Sequence, residues 1–549
     1  MKNTISKDPL LEMAVRNWRR SNSGRSDVHA CNGMVASSQP LASSVGIQIL
    51  QEGGNACDAI VAMASVLNVV EPQSTGIGGD AFVLLFVPGE SRPKAINGSG
   101  YSPKNLSYEY LIEEIKLSHM PQTGVLPITV PGAVSAWETM HKEYGRLAWE
   151  DILQPAIEYA RNGFPVSPVI SQVWGERVPK LLNHEGAKNT YLVKGERAPR
   201  SGEIFKQESL ASTLESIAKE GADVFYKGEI AQRIAEFIQK EGGFIQESDL
   251  RNFKAERTKP ISLDFFDHIL WEHGPNGQGI VTLMILSIAE ELDIGKYTHS
   301  SPDYLHNLIE AKKLAFTDAF AYIADPKRMT ISTSHLLSEQ YAQTRASQIN
   351  PRQAIQVSLT PLDLGTNTVY LTAADKEGKV ISFINSLYSG FGSGIVDPQT
   401  GIVFQNRGAG FTLEKDHPNQ YEPKKRPFHT IIPAMVTSPN NELIYSFGVV
   451  GAHHQPQGQA QVFLDLVLHG MSPQEALDYP RFHHDQITNT VAIEDPLGIG
   501  LRAELRRRGH NIVDCVGINF GGGQIIKKSR NGCYIGGSDP RKDGQAQGY

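Results

Sequence analysis

Residues 365–394 read GTNTVYLTAADKEGKVISFINSLYSGFGSG. Two runs rich in β-branched and aromatic residues, 368–374 and 380–387, flank Asp375-Lys376-Glu377-Gly378, a short connection with glycine where a positive φ is most needed. The stretch predicts a hairpin whose first strand opens at Thr368, just after an irregular, polar segment. Threonine is a favoured strand residue, and most threonines at a strand start do no chemistry. A chain break before Thr368, however, would place a hydroxyl and a new α-amine on one residue. That is the arrangement of an N-terminal nucleophile, whose amine, titrating near about 8, serves as base for its own hydroxyl.

Working outward, Ser386 lies across the hairpin, and Phe391-Gly392-Ser393-Gly394-Ile395-Val396 and Gly401-Ile402-Val403-Phe404-Gln405-Asn406 follow in order. With these motifs the sequence resembles the γ-glutamyltransferase family of N-terminal-nucleophile hydrolases. The block from Gly33 through Val87, with Ser74-Thr75-Gly76-Ile77-Gly78-Gly79-Asp80, resembles the family's large subunit, and Ser538-Asp539-Pro540-Arg541 its closing signature. The resemblance implies an α+β fold, a four-layer αββα sandwich built as one domain from a large-subunit segment, 1–367, and a small-subunit segment, 368–549. Alignment on the Asp-Lys-Glu-Gly turn puts the nucleophile on Thr368 rather than Thr366, and self-cleavage between Asn367 and Thr368. Ser386 matches a family threonine that hydrogen-bonds the nucleophile's amine. Gly451-Ala452, between an apolar strand and a helix, matches two oxyanion-hole glycines. Alanine keeps the N–H, so the role survives.

The departures concern substrate recognition. The family arginine for the γ-glutamyl α-carboxylate falls on Ser99, its paired serines on His429 and Thr430, and its ammonium-binding aspartate on Gly410. A preceding glutamine becomes Arg407 and an asparagine becomes Tyr388. We therefore expect Arg407, Tyr388, His429, Thr430 and Gly410 to shape the acyl site, with the Arg407 fork suited to a carboxylate and nothing acidic adjacent to Gly410; the alternative is a structural Arg407 paired with an acidic side chain. The implied activity is cleavage of γ-glutamyl amides such as glutathione, through an acyl-enzyme, to water or an amine. An acylase for glutaryl-type or cephalosporin side-chain amides is the alternative within the class, and a non-catalytic binding protein the alternative outside it.

The remaining composition narrows the partners. A chain of 549 residues needs two domains or one large layered one, and a net charge of -7 disfavours nucleic acid and anionic membranes. Lys424-Lys425-Arg426 and Arg506-Arg507-Arg508 read as solvated faces. No cofactor or metal is expected: His453-His454 and His483-His484 complete no ligand spacing, and Gly76–Asp80 lacks a phosphate-loop context. The first residues carry no apolar secretory core, which points to the cytoplasm. The four cysteines form no Cys-x-x-Cys pair and read as buried free thiols. The expected partners are a small acyl substrate and the two self-associated segments, with homo-oligomerisation open. Residues 350–367, polar and proline-bearing, read as the linker; 430–436 and 442–449 read as strands, and 459–469 as a helix.

Overall fold

The computed structural model describes residues 24–357, 367–517 and 519–549. The hairpin forms as expected: Asn367–Ala374 pairs antiparallel with Val380–Tyr388, and Gly378 turns the connection at φ 86°. It lies at the centre of a seven-stranded antiparallel sheet. Its neighbours are Met34–Ser37 on one side and Asp80–Phe86 on the other, followed outward by Gln545–Gly548 and by Lys94–Asn97 with Glu256–Thr258. A second sheet of seven strands runs in the order Val28–Ala30, Tyr534–Ser538, Gly522–Lys528, Leu443–Val450, Ala434–Thr437, His268–Glu272 and Ile261–Phe265. Each sheet thus mixes strands from before and after Asn367, so the two segments share hydrogen bonds throughout.

The period-two alternation of the hairpin decides what each face meets. Val369, Leu371, Ala373, Ile381, Phe383 and Leu387 join the apolar core under the helices Pro40–Gln51 and Ala56–Val70. Asn55 starts the second of these helices with a capping box to Asp58, satisfying amides that the helix leaves open. Tyr370 and Ile384 face the other way, into a core with Phe82 of the same sheet, Ile431, and Val450 of the second sheet. A polar seam runs beside it: Tyr370 Oη meets Ser382 Oγ at 2.7 Å, and Thr372 Oγ1 meets Ser446 Oγ at 2.7 Å. The Tyr370 ring lies so close to Gly448 that a Cβ there would sit 2.4 Å from it. The second sheet buries its outer face under Gly279–Glu291, Pro302–Tyr322 and His454–Val467.

Several expectations need correction. Only Ala434–Thr437 is strand within 430–436, because His429, Thr430 and Ile432 spend their polar backbone on Gln278 and Gln459 side chains and on the 276–278 loop. The helix expected over 459–469 begins at His454, its first turn following the left-handed Gly451-Ala452 step. Lys425 and Arg426 are buried, not solvated: Lys425 holds Glu422 and the Gln420 carbonyl, and Arg426 holds Glu256 and the Ser99 carbonyl. Of the cysteines only Cys57 is buried; Cys31 is exposed and Cys515 and Cys533 are half-buried. Of the linker, 350–357 is described and packs on the helix Pro302–Tyr322, while 358–366, with Thr366, lies outside the described residues. Among the described residues no helix is long and apolar enough to cross a membrane.

Candidate active site

Thr368 sits at the start of the hairpin, where its strand faces a bulge. Asn367 pairs with Tyr388 and Val369 with Asn385, so Ser386 and Leu387 together oppose Thr368. The extra residue turns Ser386 inward: its Oγ lies 3.0 Å from Thr368 Oγ1 and accepts from the Tyr388 amide at 2.8 Å. Both hydroxyls are buried. Tyr388 has φ 78°, a conformation that costs a bulky residue energy and that this amide bond helps to hold.

The facing strand brings in the second group. Thr372 lies across from Ser446 and Tyr370 from Gly448. Val450, immediately before Gly451-Ala452, packs in one cluster with Tyr370, two residues on from Thr368. Gly451 has φ 130° and Ala452 φ 50°, left-handed for an alanine, and the helix His454–Val467 starts directly after them. No described side chain or loop carbonyl accepts from either amide. Their carbonyl side is pinned instead: Gln278 Nε2 donates to Ala452 O at 2.8 Å and to Thr430 O at 2.6 Å, while its Oε1 meets His453 Nδ1 at 3.0 Å. Gln278 thus ties the proposed oxyanion turn to the Thr430 loop, a role invisible in its sequence neighbourhood.

The expected acyl-site residues gather around an acid that sequence reasoning missed. Arg407, on the short turn Arg407–Gly410, is fully buried. Its Nε donates to Asp80 Oδ2 at 3.3 Å and one terminal nitrogen donates to Thr430 Oγ1 at 2.8 Å. The guanidinium lies 4.4 Å from the Tyr388 ring centre, and its other terminal nitrogen has no hydrogen-bond partner among the described residues. His429 Nδ1 accepts from the Ile431 amide at 3.3 Å, so Nε2 carries the proton and donates to Asp80 Oδ2 at 2.9 Å. Burial keeps His429 neutral, well below its usual range, with the Arg407 charge acting in the same direction. Burial also pushes Asp80 up to about 7 against the pull of Arg407, whose own affinity for its proton burial lowers. Arg407 remains the cation, and Asp80 is the group that titrates. Asp80 was legible only as the end of a glycine-rich loop before a strand. The sheet pairs Asp80 with Ser386, 306 residues away, and so supplies the acidic partner that the alternative reading of Arg407, as a paired structural cation, called for.

Two expected positions contribute differently. Gly410 offers no side chain, and a Cβ there would stand 2.8 Å from Phe428 O, so its place is shape alone. Ser99 is buried, its Oγ accepting from Asn276 Nδ2 at 3.1 Å and its carbonyl from Arg426 Nε at 2.8 Å. Among the described residues, His306, Glu310 and His510 are grouped closely enough to hold an ion. In the structure His306 Nδ1 bonds His510 Nε2 at 2.8 Å and Lys313 pairs with Glu310 at 2.8 Å, which meets most of their needs internally.

Comparison with known proteins bears on this arrangement. The family model for gamma-glutamyltranspeptidase matches residues 42–549. The chain is 37% identical to the glutathione hydrolase-like YwrD proenzyme of Bacillus subtilis (strain 168), covering 94% of this chain and 98% of that one. It is 35% identical to the oxamate amidohydrolase proenzyme of Klebsiella pneumoniae, over 94% of this chain and 98% of that one. Among solved structures, the cephalosporin acylase from Bacillus halodurans superposes with a TM-score of 0.89 at 41% identity, covering 96% of this chain and 98% of that one.

Proposed function

The chain belongs to the gamma-glutamyltranspeptidase family of amidohydrolases and acyltransferases, and within it we propose an autoprocessed N-terminal-threonine amidase for acyl groups that end in a carboxylate. The observation that carries this reading is the buried Thr368–Ser386 hydroxyl pair at 3.0 Å, set at the bulge where the two segments meet. In processing, Thr368 Oγ attacks the Asn367 carbonyl, the bond shifts from nitrogen to oxygen, and water opens the ester. The freed α-amine then takes the Thr368 hydroxyl proton as the oxygen attacks a substrate amide. The Gly451 and Ala452 amides receive the oxyanion, the leaving amine departs with the proton, and water or an amine acceptor releases the acyl group. The two outer helix layers and two facing sheets are read here as the four-layer αββα sandwich, with 1–367 and 368–549 remaining associated.

Arg407 supports the choice of acyl group. One terminal nitrogen has no partner among the described residues and is buried, where a donor left alone costs about 1–3 kcal/mol. A substrate carboxylate would satisfy it, as in a glutaryl amide or in oxamate, the monoamide of oxalate named for the Klebsiella relative. A second reading rests on Asp80, which could meet the α-ammonium of a γ-glutamyl donor such as glutathione. Intact mass and N-terminal sequencing test the processing: the cut should leave Thr368 as a new N-terminus. For the acyl group, kcat/KM is compared for glutaryl amides, oxamate and γ-glutamyl amides with wild type and Arg407→Ala. A strong γ-glutamyl preference that Arg407→Ala leaves intact would overturn the carboxylate reading in favour of Asp80.

A further inference from the structure

Cys31 and Cys533 are far apart in sequence and adjacent in space. Val28, His29 and Ala30 pair antiparallel with Gly536, Ile535 and Tyr534, and one further step along the register sets Cys31 directly opposite Cys533. Their sulfurs lie 3.4 Å apart at an exposed end of the sheet. Both backbones are held. The Cys31 and Asn32 amides donate to Tyr549 O at 3.2 and 2.8 Å, and Cys533 O accepts from the Ser529 amide at 2.8 Å and from Ser529 Oγ at 2.7 Å. A disulfide has its sulfurs about 2.05 Å apart, so side-chain rotation closing roughly 1.4 Å completes the bond without moving the strands. The other two thiols are differently placed: Cys57 is buried in the helix Ala56–Val70, and Cys515 Sγ donates to Ile493 O at 2.8 Å.

We propose that Cys31 and Cys533 form a disulfide that covalently joins the segment before Thr368 to the segment after it. The bond itself is independent of processing; its role as the tie between two separate pieces rests on the cleavage proposed above. A small-molecule disulfide such as oxidised glutathione serves as oxidant. One cysteine thiolate attacks it and expels one thiol, the second cysteine attacks the resulting mixed disulfide and expels the other, and the two protein protons leave on the two released thiols. The tie replaces an association held by shared sheets with one that dilution cannot undo.

The test treats full-length processed protein with oxidised glutathione, blocks residual thiols with N-ethylmaleimide, and maps peptides without reduction. The expected result is a peptide joining Cys31 to Cys533 and, on a non-reducing gel, one band that reduction splits into two. Cys31→Ser and Cys533→Ser should each abolish both signs, while Cys57→Ser and Cys515→Ser leave them. The uncut Thr368→Ala chain should give the same linked peptide, which separates a failure of processing from a failure of the cross-link. Recovery of Cys31 and Cys533 only in separate peptides, as mixed disulfides, maleimide adducts or bonds between molecules, would overturn the proposal.

Discussion

Replacing Asp80 with asparagine keeps the size of the side chain and one acceptor for His429, and removes a titration. A carboxyl raised from 3.8 to about 7 holds its proton in the fold roughly 4 kcal/mol more tightly than in the unfolded chain, at about 1.4 kcal/mol per tenfold change in affinity. Because the folded value is the higher one, the associated stability is fully present below the ordinary carboxylate range. It is lost as pH rises through about 7. Roughly 3 kcal/mol of that loss should fall between about pH 5 and pH 8. Other groups titrate alike in both proteins, so the difference in pH dependence isolates Asp80, whatever constant offset the lost Arg407 pair introduces. The assay is urea unfolding of uncut Thr368→Ala chains, with and without Asp80→Asn, across that pH range. The wild-type residue should lose stability with rising pH, and the asparagine chain should lose roughly 3 kcal/mol less. In the processed enzyme the same ionisation cancels the Arg407 charge, so glutarate inhibition should weaken as pH rises through about 7 and become flat in Asp80→Asn. Parallel pH profiles in both measurements would refute the argument.

Thr368→Ala should remain one chain, Thr368→Ser should still process, and Thr366→Ala should cut normally; intact mass decides each, and a processing Thr368→Ala chain refutes the nucleophile. Ser386→Ala removes the partner of Thr368 Oγ1 and the acceptor of the Tyr388 amide, both buried, so it should slow processing and cost about 1–3 kcal/mol in stability. Ser386→Thr, which keeps the hydroxyl, should restore most of both, as followed by cleavage rate and denaturant midpoint. Ala452→Gly keeps the N–H and suits φ 50° better than alanine does, so turnover should be retained. Gly451→Val, forced to φ 130°, should lower turnover by about 10²–10³ if it displaces an oxyanion donor; unchanged kcat in the folded variant would exclude that amide.

What the sequence determined by itself was local. The two β-rich runs around Asp375-Lys376-Glu377-Gly378 specify the hairpin, because side-chain alternation and a glycine turn are properties of neighbours in the chain. Asn55 and Asp58 likewise specify where the helix Ala56–Val70 starts. The motif resemblance carried Thr368, Ser386, Arg407 and Thr430 to their positions, and the fold brings the first two within 3.0 Å and the last two within 2.8 Å. The tertiary structure alone decided which distant groups meet these residues. Asp80 reaches Arg407 and His429 because its strand pairs with the hairpin, Gln278 reaches Ala452 and Thr430 from the start of a buried helix, and Cys31 meets Cys533 across a sheet. Burial is also a property of the assembled layers. It turns Lys425 and Arg426 from an apparently solvated basic run into held structural cations, and it moves Asp80 to about 7. No pattern within a few residues encodes these outcomes, since register between strands hundreds of residues apart is set by which faces the two sheets and their helices can bury together.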